Sequence, residues 1–144
     1  MISPEKKKLI LESCSRSQIL KLLAAEILVV DKGRFELRIP QLSFTHRPTG
    51  MFNGSTIASA VDVASGYAAV SMFEKDARFT TVELKVNFLS PAMGEQLLVK
   101  ARVLKSGKVL SVVQVDVYSV YAEEGTKETF AATSLVTLMR LKAK

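Results

Sequence analysis

Asn53-Gly54-Ser55-Thr56-Ile57-Ala58-Ser59-Ala60-Val61-Asp62-Val63-Ala64-Ser65-Gly66-Tyr67 is the run on which the reading of this chain turns. It lies within twenty-six residues between Arg47 and Glu74 that are mostly small or apolar and hold a single charge, Asp62. Ile57, Val61, Ala64 and Ala68 recur at helical spacing, and Asn53 or Ser55 can cap, so the segment predicts a long helix. A carboxylate on such a helix must face a cavity, a substrate or a second subunit, because burying an unpaired charge costs several kcal/mol.

Upstream, Ser3-Pro4-Glu5 is a helix start, with Ser3 to cap and Pro4 at the first helical position, and the helix is expected to run to about Ser13. Gln18 to Leu23 adds a further turn. Glu26 to Asp31 and Phe35 to Ile39 read as strands joined by the turn Asp31-Lys32-Gly33-Arg34, where Gly33 can take positive φ. Gln41 to Phe52 is a polar loop that delivers the chain to the long helix.

Downstream the period becomes two. Val82, Leu84, Val86 and Phe88 are expected on one face of a strand, with Glu83, Lys85 and Asn87 on the other. Three more strands follow, near Gln96 to Lys105, Val109 to Tyr121 and Thr129 to Leu141, with turns at Lys105 to Lys108 and Glu123 to Thr126. The sum is an α+β domain in which one long central helix is wrapped by a largely antiparallel sheet of about six strands.

The chain has 144 residues, which fits one domain over 1–144, with 1–21 as an N-terminal helical extension. Hydrophobic residues at 48% and charged residues at 24% are globular values and exclude a disordered or fibrous chain. Cys14, the only cysteine, cannot form an internal disulfide, and Met1 to Lys8 lacks the apolar stretch of a secretory signal, so the expected location is cytoplasmic. Met51 to Phe73 is long enough for a membrane span, but Asp62 near its centre costs about 2.5 to 3.5 kcal/mol on insertion scales and the run is rich in Ser, Ala and Gly. No membrane association is expected. The net charge of +6 suits anionic ligands, though such an excess is usually a solvated surface.

Several chemistries fall away. No G-x-G-x-x-G follows a strand and no lysine stands at P-loop spacing, which removes nucleotide-binding readings. His46 and Cys14 do not make a metal cluster, and no cofactor is expected. A serine triad would need His46, which lies in a polar loop without a nucleophile-elbow sequence. Aromatics at 7%, with no interleaved basic stripe, exclude a nucleic-acid platform.

The remaining constellation is Thr45 to Ser55, then Asp62 nine residues after Asn53, then Thr80 to Ala92 with its terminal Ser90-Pro91-Ala92. From about Leu22 to Leu141 this resembles the phenylacetate-degradation-type acyl-CoA thioesterases of the hotdog superfamily. Their helix begins G-x-x-H-G-G, carries an Asp nine residues after the His, and precedes a strand ending in Ser-Pro-Ala. The resemblance implies a hotdog fold and a thioester hydrolase. Gly50 then matches the first glycine, Gly54 the glycine whose N–H contacts the thioester carbonyl, Asp62 the catalytic acid, and Thr81 the residue that holds the attacking water. Asn53 stands where His is usual, and Arg47 where an Asn often contributes. The resemblance also implies that Gly and Asp of one site come from different subunits, hence a dimer at minimum, with a tetramer as a dimer of dimers. Small residues at Ala58, Ala60, Ala64, Gly66 and Ala68 would let two helices pack closely.

The chemistry is sound on its own. A helix N-terminus offers free N–H groups and partial positive charge, so Gly54 can stabilise an oxyanion while Asp62 attacks the carbonyl or takes a proton from water. Ser55, beside Gly54, and Tyr67 are expected to help bind the acyl-CoA substrate, with Tyr67, Met51, Phe52 and Phe88 setting the acyl pocket. Arg102, Lys105 and Lys108 are candidates for the CoA phosphates. Plainer readings exist for each: Gly54 as a turn glycine, Asn53 as an N-cap, Asp62 as an ion-pair partner of Arg47 or Lys85, Thr81 as an ordinary strand residue, and the basic turn as a solvated hairpin. The spacing of Gly54, Asp62 and Thr81 favours the catalytic reading. The alternative function is a non-catalytic acyl-CoA binding or sensing module. A hotdog hydratase would need His where Tyr67 stands.

Overall fold

The computed structural model describes residues 1–121 and 127–142, and the turn expected at Glu123 to Thr126 lies outside the described residues. Helix α1 (Pro4–Arg16) starts as its sequence dictates, with the Ser3 hydroxyl accepting from the Lys6 N–H and Pro4 where no intrahelical N–H is needed. It runs past the expected end at Ser13. Ser17 takes the extended conformation that stops it, and the Ser17 hydroxyl then accepts from the Leu20 N–H to start α2 (Gln18–Leu22).

Strands β1 (Glu26–Asp31) and β2 (Arg34–Pro40) form the expected hairpin, with Gly33 at φ +73° in its turn. The long helix α3 spans Gly54–Val70. It is followed by β3 (Phe79–Phe88), β4 (Gln96–Ser106), β5 (Leu110–Val120) and β6 (Glu128–Arg140). All pairings are antiparallel, in the order β1-β2-β4-β5-β6-β3, so β3 closes one edge of the sheet against β6.

The core lies between α3 and one face of this sheet. Phe35, Leu37, Ile39, Leu97, Val99, Val113, Val115, Val117 and Val136 are fully buried, opposite Ala60, Val61, Ala64 and Ala68 of the helix. Those alanines let the helix axis lie close to the strands. Helix α1 adds Ile10 and Cys14 to the same core. No helix among the described residues is long and apolar enough to cross a membrane.

The expected alternation along β3 fails at one position. Pairing with β6 runs from Thr81↔Leu138 directly to Glu83↔Thr137, leaving Val82 as an extra, unpaired residue that is 52% exposed. Val82 therefore does not share a face with the half-buried Leu84 and Val86. A bulge changes the parity of the strand, so Phe79 before it and Leu84 and Val86 after it all pack towards the core. Unbroken alternation would have put Thr81 on the side away from α3.

Candidate active site

The start of α3 is held by a tight loop. Gly50, at φ +89°, donates its N–H to the Arg47 carbonyl at 2.9 Å. The Thr45 carbonyl accepts from both the Asn53 N–H at 2.8 Å and the Thr56 hydroxyl at 3.0 Å. Asn53 occupies the N-cap position, yet its side chain does not cap the helix; it donates to the Phe44 carbonyl at 2.8 Å instead. Amide groups in the first turn of α3 are thereby left for a ligand. Within the same loop, His46 bonds through Nδ1 to the Leu42 carbonyl.

The segment Ser90-Pro91-Ala92 is pinned beside this helix start. The Ala131 carbonyl, at a register break in β6, accepts from Leu89 N–H at 2.8 Å and Ser90 N–H at 3.3 Å, and the Ser90 hydroxyl donates to the Phe130 carbonyl. Ala92 in turn accepts from the Phe52 N–H at 3.0 Å. Together they frame a pocket of about 400 Å³ lined by Arg47, Met51, Phe52, Gly54, Phe88 and the 89–92 segment. Gly54 lies under the Phe88 ring, whose Cζ would stand 3.2 Å from a Cβ placed there.

Asp62 belongs to a different pocket. It is exposed on α3, and the Thr81 hydroxyl donates to its Oδ1 at 2.6 Å. Val63, Gly66, Tyr67, Val70, Phe79 and Leu138 complete a surface pocket of about 240 Å³ around this pair. Tyr67 is fixed by stacking on Phe35, with ring centroids 5.1 Å apart, and by a hydrogen bond between its hydroxyl and that of Ser13 at 3.1 Å. Burial pushes the Tyr67 phenol up, with Ser13 opposing.

Of the residues singled out in the sequence, the fold thus joins Arg47 with Gly54, and Asp62 with Thr81 and Tyr67. Ser55 is exposed beside Gly54, and Gly50 serves the turn rather than the pocket wall. Arg102 donates to Gln114 Oε1 at 3.0 Å on β4, and Lys108 borders a separate groove with Arg140 and Lys142; these and Lys105 lie towards the end of β4 remote from the Gly54 pocket. Neither Arg47 nor Lys85 pairs with Asp62 within the chain among the described residues. Sequence reasoning missed Val70, Phe79 and Leu138, three apolar residues whose only signal is position once the β3 register is known. Among the described residues no cluster of His, Cys, Asp and Glu could hold a metal.

Comparison with known proteins shows the family and the fold. Residues 49–125, which include both pockets' glycine, acid and threonine, match the thioesterase superfamily. A crystal structure of a thioesterase family protein from Silicibacter pomeroyi superimposes with a TM-score of 0.89 at 33% identity, covering 96% of this chain and 99% of that one. The medium/long-chain acyl-CoA thioesterase YigI of Escherichia coli is 26% identical over 106 residues, 60% of this chain and 68% of its own. The PaaI protein of the Escherichia coli phenylacetic acid degradation operon shares the fold, with a TM-score of 0.85 at 16% identity over 100% of this chain and 99% of that one. The chain belongs to the thioesterase superfamily and is a hotdog-fold thioester hydrolase.

Proposed function

We propose that the protein hydrolyses acyl-coenzyme A thioesters at sites assembled between two copies of the chain. The observation that carries this reading is the separation of the two halves of the chemistry. Gly54 and Asp62 are eight residues apart on one helix, which is roughly 12 Å along its axis, and they open into different pockets. One carbonyl cannot meet both from the same chain. A second copy docked along the exposed β3 edge, where Val82, Phe88 and Leu89 are more than half exposed, would bring the Gly54 of one copy to the Asp62 of the other.

The steps follow from the groups present. The Gly54 N–H and the helix dipole polarise the thioester carbonyl and hold the negative charge that develops on its oxygen. Thr81 holds Oδ1 of Asp62, which leaves Oδ2 to take a proton from water as the water oxygen bonds to the carbonyl carbon. Direct attack by the carboxylate would give a mixed anhydride that water then opens. In either route the C–S bond breaks and the CoA thiolate leaves with little assistance. Arg47 places positive charge beside the Gly54 pocket, and Arg102, Lys105 and Lys108 are phosphate contacts in this reading when supplied by the copy that provides Asp62.

The test is thiol release from a panel of short, long and aromatic acyl-CoAs by wild type and Asp62→Asn. Loss of turnover by roughly 100-fold or more is expected, the range of a positioned general base. Equal rates would overturn the assignment, and tight acyl-CoA binding without turnover by wild type would make the chain a binding module.

A further inference from the structure

Tyr67, Val70 and Phe79 are walls of two cavities at once. On one side is the Asp62 pocket; on the other a cleft of about 680 Å³ runs between α1 and the segment that leads into β3. On the acyl-CoA reading, an acyl chain anchored at Asp62 and extended along α3 would run past these three side chains towards the cleft. From Asp62 to the level of Val70 is eight residues, about 12 Å, so acyl groups of about eight carbons or fewer end before it and only longer ones reach it.

The cleft is apolar along Leu9, Ile10 and Leu141, but its charged lining is three cations, Lys6, Arg16 and Arg78, against one acid, Asp76. Lys6 is the unusual member. It is only 4% exposed, and its Nζ makes one hydrogen bond, to the Lys75 carbonyl at 3.3 Å. No carboxylate lies within ion-pair distance of it among the described residues. An ammonium has three donors, so this buried cation keeps donors for a ligand. Burial pulls its pKa down, while Asp76 and then Glu74 oppose the shift. A desolvated cation without an ion-pair partner is destabilising, and an anion arriving in the cleft would relieve it.

We infer that this cleft receives the far end of the acyl group and that Lys6, aided by Arg16 and Arg78 at the rim, selects acyl chains ending in a carboxylate. The inference rests on the acyl-CoA reading of the Asp62 site and names its substrate class.

The test compares dodecanedioyl-CoA with dodecanoyl-CoA, which share chain length and differ in the terminal carboxylate, using the full chain as wild type, Lys6→Met and Arg78→Gln. Wild type is expected to prefer dodecanedioyl-CoA. Lys6→Met should raise KM for dodecanedioyl-CoA about tenfold or more, as loss of one member of a buried charge pair does, while dodecanoyl-CoA hydrolysis and inhibition by free CoA stay unchanged. Arg78 is exposed, so Arg78→Gln folds and carries a weaker form of the same shift should Lys6→Met fail to fold. A wild type that prefers dodecanoyl-CoA, or variants that affect both substrates alike, would overturn the inference and leave the hydrolase reading standing. Weakened CoA inhibition would overturn it too, since the cations would then be holding CoA phosphates. Hydrolysis of neither substrate, with no other acyl-CoA turned over, would remove both readings.

Discussion

The Thr81 hydroxyl reaches Asp62 Oδ1 at 2.6 Å only because Val82 bulges out of β3. The bulge changes the parity of the strand, so a threonine that would face away from α3 is turned towards it, while Leu84 and Val86 keep their places in the core. A hydrogen bond to a charged group is worth about 1.5 to 3 kcal/mol, which is roughly 10- to 100-fold in rate if it is needed to aim the carboxylate. Thr81→Val, nearly the same shape, is therefore expected to lower kcat by that factor with little change in KM or melting temperature, and Thr81→Ser to restore most of it. A full-rate Thr81→Val enzyme would make the contact incidental.

In the proposed mechanism Gly54 is the second half of the chemistry, and its requirement is space. A methyl group there would meet the Phe88 ring at 3.2 Å and stand where a carbonyl must approach the helix amides. Gly54→Ala should leave thermal stability nearly unchanged, because the ring is 57% exposed and can give way. Its kcat/KM is expected to fall by up to roughly 100-fold, the lower end of losses seen when an oxyanion donor is removed. Steady-state kinetics beside a thermal melt separates the two effects.

Much of this was legible in the residues. The helical period and the single charge marked α3, the Asp31 to Arg34 turn marked the first hairpin, and the runs after Gln96 marked β4 to β6 because each is long and strongly patterned. The distance of Asp62 from Gly54 also follows from helix geometry, whereas its exposure is seen only in the structure. The β3 bulge did not show, since Val82 fits simple alternation as well as Leu84 does and only pairing with β6 reveals the extra residue. The cleft under α1 was hidden for a related reason. Lys6 reads as one of three lysines in an exposed turn, and its burial depends on where α1 lands against the loop at Lys75.

Cys14 bears on how the hydrolase can be assayed. Its thiol is buried, and burial pushes its pKa up to about 11, with the Tyr67 hydrogen bond opposing. The reactive thiolate is then on the order of one part in a thousand at pH 8. A thiol-reactive disulfide reagent is expected to find no free thiol on the native protein during an assay at that pH and one per chain in denaturant. Reactivity should rise as pH climbs towards the raised pKa. Fast labelling of the native protein at pH 8 would mean that α1 opens from the core.

The proposed two-copy site makes a sharper demand. Asp62→Asn retains an intact Gly54, and Gly54→Val retains an intact Asp62; each alone is expected to be nearly inactive. If one site draws Gly54 from one copy and Asp62 from another, a hybrid dimer of the two variants contains one fully mutated site and one wholly native site. Random pairing of equal amounts makes half the dimers hybrids, each with one working site of two, so co-refolded mixtures should recover about a quarter of wild-type activity. The inactive parents kept separate should show none. If the mixture stays inactive although mass measurement shows hybrids present, Gly54 and Asp62 do not meet across copies. The separation of roughly 12 Å along α3 would then leave only one of them acting on the carbonyl.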